Sequence, residues 1–118
     1  MNKDVQKLMR AFFDAEAHPL GKSCWKPAMD VYQGEGRWLL KFDLAGVRPE
    51  DIRLVVDGYS LTIQGIRHDL AILTNQQPQS MEISYNSFER KIELPFPVEH
   101  ARLTHDFRDG MFLVLIEP

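Results

Sequence analysis

From Ala28 onward the apolar residues recur at every second position: Leu40, Phe42 and Leu44 alternate with Lys41 and Asp43, and Ile52, Leu54 and Val56 alternate with Arg53. Side chains of an extended chain point alternately to opposite faces, so this pattern builds strands with one oily and one wet face. Such strands need a second layer to cover them. Asp57-Gly58 and Asp109-Gly110 sit between apolar runs, and Asp-Gly pairs favour tight hairpin turns because both residues tolerate positive φ. Gly34-Glu35-Gly36 marks a third turn. With Leu61 to Ile66, a long run from Met81 to Leu94, and Leu103 to Ile116 folded as a hairpin, the count reaches seven or eight short strands. The fold class is all-β, an immunoglobulin-like antiparallel β-sandwich.

Two places break the regular pattern. Ile83 and Tyr85 are odd-numbered apolar positions, whereas Phe88, Ile92 and Leu94 are even, so one residue must be absorbed between them. Asn86-Ser87 is the expected bulge or bend, since asparagine tolerates the left-handed conformation that some bulges require. The second break is the segment 68–80, too long for a hairpin connection, where two to five residues are the norm. Within it Leu70, Ala71, Ile72, Leu73 and Thr74 can form a short strand.

Residues 1–27 read as a separate N-terminal arm, and 28–118 as the sandwich domain. In the arm Val5, Leu8, Met9, Phe12 and Phe13 follow the spacing of a helical apolar stripe, which predicts an amphipathic helix over about 3 to 17. Pro19 and Gly21 stop it, and Gly21 to Pro27 forms a linker. One reading packs the stripe on its own sandwich. The other makes it an exposed arm for clients or other subunits, a role suited to adaptable Met and Phe surfaces.

The 118 residues, with a formal net charge of -3, carry no clustered basic surface that would argue for nucleic acid. The longest apolar run, Met111 to Ile116, falls far short of the roughly 20 residues of a membrane-spanning helix. In the arm Lys3, Lys7 and Arg10 are balanced by Asp4, Asp14 and Glu16, which is not the basic face expected on anionic lipid. No secretory signal pattern opens the chain, and Cys24 is the only cysteine, so a cytoplasmic setting is expected and an intrachain disulfide is not. His18, His68, His100 and His105 share no metal-ligand spacing, and neither serine nor Cys24 has a nucleophile context. An enzyme is not expected, nor any cofactor or metal.

Four stretches together resemble the alpha-crystallin domain of small heat shock proteins. LAGVRPEDI at 44–52 is similar to the family's L-P-G-V-x-x-E-D-I, and LTIQGIR at 61–67 to its L-x-I-x-G-x-R strand. EISYNSFERKIELP at 82–95 resembles the signature E-x-x-x-G-x-F-x-R-x-x-x-L-P, and DGMFLVLI at 109–116 the closing N/D-G-V-L-x-I hairpin. Ala45 stands where the family has proline, Asn86 where it commonly has glycine, and Met111 and Phe112 where it has valine and leucine. The sequence stops at Glu117-Pro118 without the family's I-x-I tail, which leaves two readings open: a tail removed, or assembly without one.

The resemblance implies an ATP-independent holdase that binds partly unfolded client proteins and prevents their aggregation. It implies a homodimer made by exchanging the strand Leu70 to Thr74, and larger homo-oligomers built through the N-terminal arm. It also implies a groove for extended segments between the strand of Leu54 and Val55 and the strand of Leu103 and Phe107. A co-chaperone or adaptor module with the same sandwich, recognising one folded partner, is the alternative. Arg90 resembles the family's F-x-R arginine, and period two independently puts it beside Phe88 and Ile92 on the packed side. A guanidinium there should hold carboxylates or backbone carbonyls, from its own chain or a partner subunit.

Overall fold

The computed structural model describes residues 24–70 and 73–118. The amphipathic helix expected over 3 to 17, and with it Val5, Leu8, Met9, Phe12 and Phe13, lies outside the described residues, as do Ala71 and Ile72. Seven strands are present among the described residues: β1 Met29–Gly34, β2 Arg37–Asp43, β3 Ile52–Asp57, β4 Ser60–Arg67, β5 Asn86–Glu93, β6 Arg102–Arg108 and β7 Met111–Glu117. They form two antiparallel sheets, one ordered β1-β2-β7-β6 and the other β3-β4-β5. Short 3₁₀ turns at Pro49–Asp51 and Val98–His100 carry the chain between the sheets.

The core is the alternation seen in the sequence. Leu40, Phe42 and Leu44 from the first sheet meet Leu61, Ile63 and Phe88 from the second, and Phe112, Val114 and Ile116 complete the buried layer with Val47, Leu94 and Val98. Each such side chain contributes about 1.5–3 kcal/mol by leaving water, so this one layer carries most of the driving force. Cross-strand pairing keeps the oily rows in phase: Leu40 opposes Val114 and Phe42 opposes Phe112, while Ile63 opposes Arg90.

Two of the three expected turns sit where the sequence puts them. Glu35 and Gly36 have φ of 49° and 73°, and Asp109 and Gly110 have 50° and 81°, the double positive φ of a two-residue hairpin whose twist matches the flanking strands. The third turn is displaced by one residue. Asp57 pairs with Ser60 and ends β3, so the loop is Gly58-Tyr59, and only Gly58, at φ 62°, is left-handed. The Ser60 hydroxyl donates to the Asp57 carbonyl at 3.0 Å and closes it.

The long strand expected from Met81 to Leu94 is shorter. Residues 81–85 form no strand, since no partner faces them among the described residues, and β5 begins at Asn86, opposite Arg67, the last residue of β4. Asn86 has φ 72°, which is the bend that resets the phase between Tyr85 and Phe88. Gly65 shows how tightly the two strands and the Pro49–Asp51 turn meet. A Cβ there would lie 2.3 Å from the Asp51 carbonyl oxygen and 2.5 Å from the Phe88 ring.

Candidate partner-binding surfaces

Three surfaces of the sandwich are candidates for holding a partner. The first is a cleft of about 400 Å³ between the edge strands β3 and β6, lined by Pro49, Ile52 and Leu54 on one side and by His105, Asp106, Phe107 and Phe112 on the other. The rings of Phe107 and Phe112 meet edge to face, with centroids 6.2 Å apart, and His105 lies 5.5 Å from Phe112. Leu54 and Phe107, both expected at a groove, face each other across it. Val55 does not line the cleft: it pairs with Thr62 on the opposite face of β3 from Leu54 and Val56. Leu103, at the far end of β6, packs on the core beside Ile116.

At the rim of this cleft the Arg108 guanidinium donates to Asp106 Oδ2 at 2.8 Å. That hydrogen bond holds the Asp106 carboxyl below the usual carboxylate range, with the Phe107 amide at 2.9 Å adding to the effect. The pair keeps a fixed negative group beside an apolar slot.

The second surface is the segment joining β4 to β5. Leu70, Leu73, Met81 and Ile83 are 78%, 66%, 60% and 62% exposed, an unusual concentration of large apolar side chains in one loop. Leu70, Leu73 and Thr74 belong to no strand in this single chain. Beneath the loop is a hollow of about 700 Å³ lined by Ala45, Gly46, Arg48, Arg67, His68, Leu70, Ile83 and Tyr85.

Arg67 fastens the root of that loop. Its Nε donates to the Ala45 carbonyl at 3.1 Å, one terminal nitrogen donates to the Ser84 carbonyl at 2.8 Å, and its guanidinium carbon lies 4.4 Å from the Trp25 ring centroid. Trp25 is itself held against the start of β5. Its indole donates to Asn86 O at 3.2 Å, its amide to Ser87 O at 3.1 Å, and its carbonyl accepts from the Glu89 amide at 3.1 Å. Asp51 adds a second fastening, accepting from Arg48 at 3.0 Å and lying 3.4 Å from His68 Nε2. Arg67 and Asp51 fall in the stretches that resemble the family, but nothing in the sequence signals these contacts, since Trp25, Ser84 and His68 lie 17 or more positions from them.

The third surface is the outer edge of β1, where Val31 and Tyr32 are exposed. Lys41 Nζ sits 5.2 Å over the Tyr32 ring, and its hydrogen bond to Tyr32 raises its pKa above the ordinary 10.5. Arg90 lies inside rather than on any of these surfaces. Half-buried beside Ile63, it donates to the Pro27 carbonyl at 3.0 Å, so its acceptor is a backbone oxygen of the segment that crosses from the β5 edge to β1. Among the described residues no group of three or more His, Cys, Asp or Glu side chains could hold a metal ion, and no helix is long and apolar enough to cross a membrane.

Comparison with known proteins adds a family to this geometry. Residues 30–118 match the Hsp20/alpha crystallin family. The chain is similar to small heat shock protein C4 of Rickettsia felis, with 31% identity over 90 residues that cover 76% of this chain and 55% of that protein. In three dimensions it resembles heat shock protein 16.0 from Schizosaccharomyces pombe, with a TM-score of 0.68 and 27% identity over 77% of this chain and 84% of that one. A small heat-shock protein from Xylella fastidiosa superposes with a TM-score of 0.66 and 26% identity, covering 80% of this chain and 87% of that one. The chain spans 55% and 58% of the length of the two Rickettsia felis relatives it matches.

Proposed function

The chain belongs to the Hsp20/alpha crystallin family of small heat shock proteins, and on that premise we propose that it is an ATP-independent holdase that binds partly unfolded proteins and keeps them from aggregating. The observation that carries this reading is the exposure of Leu70, Leu73, Met81 and Ile83 on one loop. Apolar surface left in water is a standing attraction for the apolar segments that unfolding clients release, and binding them by mass action lowers the concentration available for self-association. No bond is made or broken, so no nucleotide is needed to drive the capture.

The same loop is the arm of a homodimer. Leu70 to Thr74 of one subunit adds as a strand to the outer edge of β1 of its partner. The free edges support that pairing. β3 and β6 face each other across the cleft, the start of β5 is covered by Trp25, and the β1 edge carries Val31 and Tyr32 exposed. An uncovered edge strand is a template for another chain's backbone. Larger assemblies build on the dimer through residues 1–27, and the setting is the cytoplasm.

The test is light scattering of a heated model client without ATP. Substoichiometric to equimolar protein should suppress the rise in scattering. No suppression at several-fold excess would remove the holdase reading, and tight binding of one folded partner in its place would favour the adaptor.

A further inference from the structure

We propose that His105 is a pH gate on the cleft between β3 and β6: with the imidazole neutral the cleft takes an extended apolar segment of an unfolding client, and with it protonated the segment is refused. This rests on the holdase reading and gives it a second surface, apart from the long loop. The walls of the cleft set the chemistry of its occupant. β3 and β6 are the edge strands of the two sheets, so each turns a row of backbone N–H and C=O groups away from its one neighbour. An extended segment pairs with such an edge and drops alternate side chains into the slot. Pro49, Ile52, Leu54, Phe107 and Phe112 make that slot apolar, and its volume of about 400 Å³ suits a few aliphatic side chains.

His105 stands in the middle of β6, paired with the fully buried Val114, and its ring lies 5.5 Å from that of Phe112 at a tilt of 32°. Among the described residues that line the cleft, only His105 and Asp106 are ionisable. Asp106 is already bonded to the Arg108 guanidinium at 2.8 Å and to the Phe107 amide at 2.9 Å. The other walls bring no charge. β7 offers Val114 and Phe112, Arg53 lies on the opposite face of β3 from Ile52 and Leu54, and neither Glu50 nor Asp51 of the 3₁₀ turn lines the cleft. An imidazole changes charge between about pH 5 and 8, and a cation covered by an apolar side chain is costly unless an acceptor meets it. The proton and the apolar segment therefore compete, and by linkage affinity falls as pH falls through the imidazole range.

The experiment follows the fluorescence anisotropy of a tetramethylrhodamine-labelled peptide of alternating threonine and valine, which has no side chain that titrates, added to the full chain. The expected affinity is about tenfold weaker at about pH 5.5 than at about pH 7.5, with the far-UV circular dichroism unchanged. His105→Phe keeps a ring against Phe112 and His105→Gln is neutral at both pH values, so both variants should bind without that fall. A parent affinity that changes less than about twofold, or a His105→Gln chain that keeps the tenfold fall, overturns the gate. No binding at either pH overturns the cleft as a client surface together with its gate, while the holdase reading carried by the long loop stands. Client aggregation left unsuppressed by a chain that binds the peptide with the expected pH dependence removes the holdase reading instead.

Discussion

The guanidinium of Arg67 lies over the indole of Trp25, 4.4 Å from the ring centroid, and in that position its nitrogens also reach the carbonyls of Ala45 and Ser84. Four segments distant in sequence thus converge on one side chain: the N-terminal crossing, the turn after β2, the end of β4 and the return of the long loop. A planar fork with several fixed donors can serve them all at once, whereas a lysine ammonium cannot present that geometry.

Replacing Arg67 by alanine should therefore destabilise the fold by about 2 kcal/mol, combining lost hydrogen bonds from a charged donor with a lost cation–π contact. Urea unfolding followed by tryptophan fluorescence measures this. Arg67→Lys should restore less than half of the loss, since it keeps the charge but not the fork.

Gly65→Ala should cost about 3 kcal/mol, near the upper end for overpacking, because the new methyl would collide with the Asp51 carbonyl and the Phe88 ring. The carbonyl is backbone and Phe88 is fully buried, so neither yields cheaply. A melting temperature within a degree of the parent would contradict the packing described for this site.

Arg90→Ala leaves the Pro27 carbonyl without its donor in a segment where Pro27 itself is fully buried. The expected loss is about 1–3 kcal/mol. Sedimentation of the same variant separates two roles: an unchanged mass confines Arg90 to the fold, and a lighter species assigns it to assembly as well.

Deleting Leu70 to Thr74 should convert a dimer to a monomer in analytical ultracentrifugation while leaving the β-sheet circular dichroism intact. Leu70 and Leu73 are largely exposed and outside the buried core, so the sandwich should persist. An unchanged mass would argue against strand exchange.

The Asp106 carboxyl should titrate below its ordinary 3.8, because Arg108 hydrogen-bonds to it. A depressed folded value means that the pair's contribution is present above the ordinary carboxylate pKa and disappears as pH falls through the lower, folded one. Carbon chemical shifts of Asp106 followed against pH report this directly. Arg108→Ala should move the midpoint back toward 3.8.

The sandwich was legible because its signal is local: Leu40, Phe42 and Leu44 alternate in sequence and are all buried. Leu54 and Phe107, which the family resemblance marked, both line the cleft, whereas Val55 and Leu103 do not. What escaped was set by tertiary neighbours. Ile83 and Tyr85 alternate like strand residues, yet a strand needs a partner and none faces them among the described residues. Glu89 occupies a position that alternation assigns to solvent, but it is buried where Trp25 lies along β5 and Gln64 reaches its carboxyl at 3.4 Å. Arg67 closes the LTIQGIR stretch, yet its role could not be read there, since the partners that define it lie 17 to 42 positions away along the chain.

The pairing of Arg67 with Asn86 closes the β4-β5 ladder at the point where the long loop leaves and returns. Asn86, at φ 72°, restarts the alternation there, so the phase of β5 is fixed at its own first residue and owes nothing to the number of residues before it. Loop length is thereby decoupled from strand register. Insertions between 73 and 82 would lengthen an arm without turning Phe88 or Glu89 onto the wrong face, and doubling a flexible loop costs only about 0.6 kcal/mol in closure entropy. The base of this loop is thus a graft point: a foreign segment can be carried there by the sandwich without being read by its core.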